Sequence, residues 1–394
     1  MGLAIAVFLV VSGATGAVIS WDHELDSLLN PHLVQAGSHG PPIPSLQLAR
    51  QVERDDPRVR VTYLPLAAEP GKSLALSVEP RVDVGTGRLF EPGYNQIFLD
   101  PVTGRELGRR EWGAAWPITR ENFVPFLYKL HYSLHLPEMW GIDRWGLWLM
   151  GTVAGVWTID CFIGFYLTLP AGSLRRGWWS RWRPAWRIKT SSSAWRANFD
   201  IHRACGLWAW GLLVVLAFTG FSLGLYREVF YPLMSMVSPV TPSPFDLRSP
   251  APRHRPFDPK VGLAEIVDRT REEAARRGWR EPLGAVFYRP AYDIYGATFF
   301  DPGEDHGTAG LGPARLYFDG GDGRLLGDRQ PWDGTAADIF MQAQFPLHSG
   351  RILGLPGRIL VSLAGLVVAA LSVTGIVIWY GKRRARMSPL RAGR

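Results

Sequence analysis

Nine histidines occur in the 394-residue sequence, and four of them stand where chemistry is most readily built. His131 and His135, in YKLHYSLHLP, are spaced i and i+4, so that within a helix both side chains share one face. His348 lies in QFPLHSGR and His202 in FDIHRACG, and all four border long apolar runs. A neutral imidazole in such surroundings ligates a metal through one ring nitrogen while the other is fixed by an acceptor. The plainer use is a histidine at an interface that caps a helix or bonds a carbonyl. Other chemistry is thinly represented. His23 and His306 have carboxylates nearby but sit in loop-like strings without metal-ligand spacing, and there is no Ser-His-Asp arrangement, P-loop or HExxH. Cys161 and Cys205 form no CxxC, which excludes a disulfide framework and a thiolate zinc site.

The elements that must position these histidines are four apolar stretches, at about 2–20, 145–169, 204–226 and 355–380. A bilayer core about 30 Å thick needs roughly 20 apolar residues in a helix, so each is long enough to cross it. Asp160 and Arg358 are the charges within them. The chain is therefore expected to be a membrane protein with four transmembrane helices rather than a soluble enzyme. The segment between the second and third spans, 170–203, carries Arg175, Arg176, Arg181, Arg183, Arg187, Lys189, Arg196 and Arg203 against Asp200 alone, and the tail 381–394 reads GKRRARMSPLRAGR. Positive charge marks the cytoplasmic side. Segments 21–144 and 227–354 then lie outside, with both termini within. The net charge of +8 is thus topogenic, a face on anionic lipid heads, and nucleic acid is no partner. Trp178, Trp179, Trp182, Trp186 and Trp195 fit an interfacial aromatic belt. Because no Lys or Arg precedes the first span, and a signal peptide fits poorly, the chain is expected to be short at its start.

The halves of the chain resemble each other. IFLDPVTGRELGRREW (97–112) matches LYFDGGDGRLLGDRQPW (316–332), and GLAIAVFLVVSGATG (2–16) matches GLWAWGLLVVLAFTG (206–220). The expected architecture is span, external α+β module, span, in two tandem repeats, with function at the interface between them. Each module pairs a helix-like stretch with alternating β-rich runs, joined to the spans by Pro-rich connectors.

Aligning Leu134-His135 on Leu347-His348 makes His135 and His348 equivalent across a pseudo-twofold axis, with His131 on Gln344. Two imidazoles facing one another in a helix bundle suit the axial positions of haem iron; zinc, the alternative, needs further ligands, and His131 is the one nearby. Arg351 and Arg203, beside His348 and His202, are expected to pair with propionates or to serve as ordinary interfacial cations. His202 lacks a repeat partner, which would fall four residues before Gly2.

LDPVTGRELG, LHYSLHLPEMWG, DIHRACGLW and FPLHSGRILGLPGRILVSLAGLVVAALSVTGIVIWYGKRR together resemble the PepSY-associated transmembrane (PepSY-TM) family over almost the whole chain. The resemblance implies a bacterial inner-membrane protein with two periplasmic PepSY modules, akin to iron-uptake proteins and ferric-siderophore reductases. It implies haem b, one or two per chain: His135 and His348 on an outer haem, His131 as substitute ligand or support, and His202 on an inner one. The family usually carries His-Arg-Trp before the first span, which this chain lacks. The leading expectation is therefore electron transfer to an external ferric siderophore or other iron chelate. With no GxGxxG or flavin motif, the donor is another protein, a quinol or a soluble reductant. The alternatives are a non-enzymatic PepSY module that binds peptide or a protease, and a transporter, for which lone Asp160 gives thin support. Tyr94, Trp112, Trp116, Tyr288, Tyr292 and Tyr295 are candidates for a ligand surface or for module cores.

Overall fold

A computed structural model describes residues 2–172, 177–189, 193–305, 307 and 310–391. Arg175, Arg176 and His306 lie outside these residues. The chain divides into two compact units: residues 1–22, 127–237 and 343–394, and residues 23–126 and 238–342.

The first unit holds the four long apolar helices, Gly2–Ile19, Trp145–Thr168, Ala194–Gly224 and Gly354–Arg391. All four contain a stretch long and apolar enough to cross a membrane. In lipid a helix satisfies every backbone hydrogen bond internally, so long apolar sequence becomes helix with little help from tertiary contacts. Close packing between spans then depends on small residues. Gly13 and Gly365 face each other so tightly that a Cβ built on either would lie 2.6 Å from the other's carbonyl oxygen. The second and third spans meet at Gly151 and Gly224, where a Cβ on Gly224 would come within 2.7 Å of the Gly151 Cα. Arg358 is accommodated by donating to the Ser20 carbonyl at 2.9 and 2.7 Å and by lying over the Trp21 ring.

The second unit is one antiparallel sheet of eight strands. They are β1 (Val59–Pro65), β2 (Leu74–Pro80), β3 (Gln96–Leu99), β4 (Glu106–Arg110), β5 (Leu283–Arg289), β6 (Ile294–Phe299), β7 (Ala314–Asp319) and β8 (Leu325–Arg329), in the order β4-β3-β2-β1-β5-β6-β7-β8. The sequence pattern places an α+β module in each half of the chain, but the two do not stand apart. β1 pairs with β5 through Tyr63–Phe287, Leu64–Val286 and Pro65–Ala285. An edge strand leaves a row of unpaired N–H and C=O groups, and two such edges satisfy each other.

One sheet face is covered by two helices. Leu48, Ala49 and Val52 of the Ser45–Asp55 helix bury against Val59, Val61, Leu64, Leu76 and Val78. Ile266, Val267 and Ala274 of the Leu263–Arg277 helix bury against Val286, Tyr288, Tyr295, Leu316 and Phe318. The latter helix stops at Gly278, whose φ of +68° opens a turn in which the Trp279 N–H donates to the Ala274 carbonyl at 3.0 Å. The outer hairpins are alike in detail. Asp100 accepts from the N–H groups of Val102 and Thr103, and Asp319 from those of Gly321 and Asp322. A left-handed glycine, Gly104 or Gly323, closes each turn at φ +70° or +71°.

Candidate functional site

Three of the four border histidines sit on the same local arrangement. The Nδ1 of His131 lies 2.9 Å from the Ser12 carbonyl and 3.1 Å from the Thr15 hydroxyl of the first span. Thr15 donates its own proton to the Val11 carbonyl at 2.7 Å. His131 Nδ1 is therefore the protonated nitrogen, donating to Ser12. A Cβ on the next residue, Gly16, would lie 2.9 Å from the His131 Cε1. His348 repeats this on the third span: its Nδ1 is 2.9 Å from the hydroxyl of Thr219, which donates to the Val215 carbonyl, and Gly220 lies against the ring. His202 repeats it again on the fourth span, with Nδ1 2.9 Å from the Thr374 hydroxyl and Gly375 against the ring. In each case the threonine satisfies its own helix and accepts from the imidazole, and the glycine makes room. The consequence is a fixed tautomer that leaves Nε2 with its lone pair.

His131 and His348 face each other, with ring centres 6.1 Å apart and planes inclined at 54°. Burial lowers the pKa of both, that of His348 to about 4, with the neighbouring His131 adding to the effect. Both imidazoles are thus held in the neutral form. This pairing differs from the alignment of His135 on His348. The helix Phe123–Ser133 ends before His135, and Leu134 and His135 follow with φ of +53° and +51°. Two successive left-handed residues turn the chain, so His131 and His135 do not share a helix face. LHYSLH holds two Leu-His pairs, and the one that matches Leu347-His348 in the fold is Leu130-His131. The Thr-Gly steps at 15–16, 219–220 and 374–375 were the signal in the sequence that singles it out.

The chain matches the model of the PepSY-associated TM region over residues 1–382. It belongs to that family. No curated protein matches it. The family assignment establishes a membrane protein, and the particular chemistry of this member rests on its own residues.

The family member's two flanking arginines are both engaged. Arg351 faces Asp22 at 3.6 Å, and Arg203 bonds Asp200 at 2.9 Å while donating to the Pro184 and Ala185 carbonyls. Asp160 of the second span lies against Gly2, whose Cβ would come within 3.0 Å of its Oδ2. Among the described residues no group of three or more His, Cys, Asp or Glu is gathered as a zinc site requires. The aromatic candidates divide: Tyr94, Tyr288 and Tyr295 are core residues, with Tyr94 donating to Asp56 and Tyr288 to Asp293, whereas Trp116 is 80% exposed.

Haem fits the paired imidazoles. Two imidazoles sharing one metal ion, each bound through a ring nitrogen at about 2.0–2.1 Å as for zinc, would bring their ring centres to about 6 Å from one another. The observed separation agrees, and both Nδ1 atoms are already held on the protein side.

Proposed function

We propose that this chain is a haem b electron-transfer protein of the bacterial inner membrane that reduces an external ferric chelate, a siderophore complex, during iron uptake. The observation that carries it is the His131–His348 pair, six ångströms apart with both Nδ1 atoms tied to the spans. His131 and His348 would hold the iron, each through the ring nitrogen left free by its contact with a span. His202, on the Thr374-Gly375 step, is the candidate ligand of a second haem near the basic loop. Bound haem supplies a one-electron ferric/ferrous couple whose potential follows its ligands and their hydrogen bonds.

The residues of this chain contribute position and environment. Ser12, Thr15 and Thr219 orient the imidazoles, since an acceptor on the distal ring nitrogen fixes the tautomer and raises ligand basicity. Leu9, Val153, Leu213 and Val368 form an apolar core among the spans that keeps water out. The overall step is one electron to a ferric chelate, giving Fe(II), which the chelator holds weakly. The electron comes from a quinol, a protein or a soluble reductant. We read the chain as two tandem copies of one span–α+β–span unit, supported by the matching hairpin turns and by the equivalent seats Thr15-Gly16 and Thr219-Gly220.

The test is direct. Detergent-purified protein supplied with haem is expected to give a low-spin six-coordinate b-type spectrum on reduction, and the reduced protein to be reoxidised by Fe(III)–desferrioxamine as Fe(II) appears in a ferrozine assay. Protein that takes up no haem, or reduced protein indifferent to the ferric chelate, would overturn the reading.

The positive-charge bias further supports a reading in which the loop 170–203 and the tail 381–394 are cytoplasmic and the β-sheet unit is periplasmic. In a variant with Cys161 and Cys205 replaced by alanine, a cysteine at Val84, 99% exposed, is expected to react with an impermeant maleimide on spheroplasts. A cysteine at Met387 is expected to react only after lysis. The opposite pattern would reverse the orientation.

A further inference from the structure

The face of the sheet opposite the two covering helices carries a cleft of about 270 Å³ that the haem site does not use. Its floor is built by alternation. Val286 and Tyr288 of β5 enter the helix-covered core, so Phe287 and Arg289 between and beyond them emerge on the other face. A bulge between Val61 and Tyr63 brings Tyr63 onto that face, directly opposite Phe287. Thr298 of β6 and Arg315 of β7 are also cross-strand partners. The Phe287 ring reaches over Gly296, where a Cβ would come within 2.1 Å of it. Phe245 and Phe300 form aromatic walls, and Phe245 is held edge-on by Tyr292 and Tyr317 at 5.3 and 5.6 Å.

The polar groups define what such a cleft takes. Arg315 Nε is buried and finds no hydrogen-bond partner among the described residues. A buried N–H of a charged group left without an acceptor is costly, and the acceptor that matches a guanidinium fork is a carboxylate. Arg289 and Arg315 against Asp305 leave the lining with one excess positive charge. Burial pushes the Tyr63 phenol up to about 12, so it remains a neutral O–H donor. A volume of this size suits one ring with a small substituent, since a cavity of about 150 Å³ admits benzene. Flat aromatic walls favour a flat guest.

We propose that this cleft binds a small aromatic monocarboxylate, with the carboxylate on Arg315 and the ring against Phe287. The site is independent of haem.

Benzoate is the probe, titrated into the full-length detergent-purified protein without reductant and followed by calorimetry or saturation-transfer NMR. Saturable binding is expected, with acetate and benzamide each at least about tenfold weaker, because one lacks the ring and the other the charge. Arg315→Gln is expected to raise the benzoate Kd at least about tenfold and Phe287→Leu severalfold, while Arg324→Gln, on an exposed turn, leaves it unchanged. No saturable binding up to about 10 mM would overturn the proposal, as would acetate or benzamide binding as well as benzoate, or Arg315→Gln binding unchanged. If Arg315→Gln fails to fold, the comparison of the three probes on the unaltered protein decides the question. Haem spectra of Arg315→Gln are expected to match those of the parent, so failure here and failure of the redox reading are separable.

Discussion

His131→Ala is expected to abolish the low-spin haem signal that His348→Ala also abolishes, and the double variant to lose no more than either alone. In the proposed site both imidazoles would hold one haem iron, so removing either would undo the same centre, and the effects would not add. His135→Ala is expected to keep the signal, because its backbone leaves the helix that carries His131. Thr219→Val tests the second layer of contacts. Without the hydroxyl that accepts from His348 Nδ1, haem affinity is expected to fall about 10–100-fold, with the midpoint potential shifted. The measurement is haem per chain by pyridine haemochrome, with absorption spectra of each variant. Loss of the signal in His135→Ala together with its retention in His131→Ala would return the assignment to His135.

Gly13→Leu and Gly365→Leu are expected to be the most damaging substitutions within the spans. At either position the new Cβ meets a backbone oxygen at 2.6 Å, and backbone cannot swing aside as a flexible side chain does. The first and fourth spans must separate or rotate, at a cost of about 1–3 kcal/mol or more. The displacement reaches the proposed haem site, because Ser12, Thr15 and Gly16, one turn or less from Gly13, seat His131. Both thermal stability in detergent and haem retention are therefore expected to drop together. Gly164→Leu, on the second span with no atom of the described residues within 4 Å of its Cβ, is the matched control and should change neither. A Gly13→Leu protein with unchanged melting and full haem would show that the two helices do not depend on this contact.

The sequence by itself determined the four spans, because a bilayer leaves a long apolar run one conformation, and the helices Gly2–Ile19 and Trp145–Thr168 begin and end within a residue or so of the apolar stretches. It also determined the paired hairpins, where Asp100 and Gly104 recur as Asp319 and Gly323, since a tight turn is set by residues within five positions of each other. What only the tertiary structure decided are relations between distant residues. Periodicity assigned His131 and His135 to one helix face, but the helix ended at Ser133, and the left-handed turn that follows is invisible to a pattern of apolar spacing. The join of β1 to β5 depends on two edges more than two hundred residues apart, and nothing local in RVTYLPL or GAVFYRP names the partner. The same join brings Tyr63 beside Phe287, and β7 adds Arg315, so the cleft exists only once strands from both halves lie side by side. Charge told where Arg351 stood along the chain, but its partner Asp22 followed from packing, because an ion pair forms with whichever carboxylate the fold delivers within reach, whereas Arg203 and Asp200 are three residues apart on one helix and meet by local spacing alone.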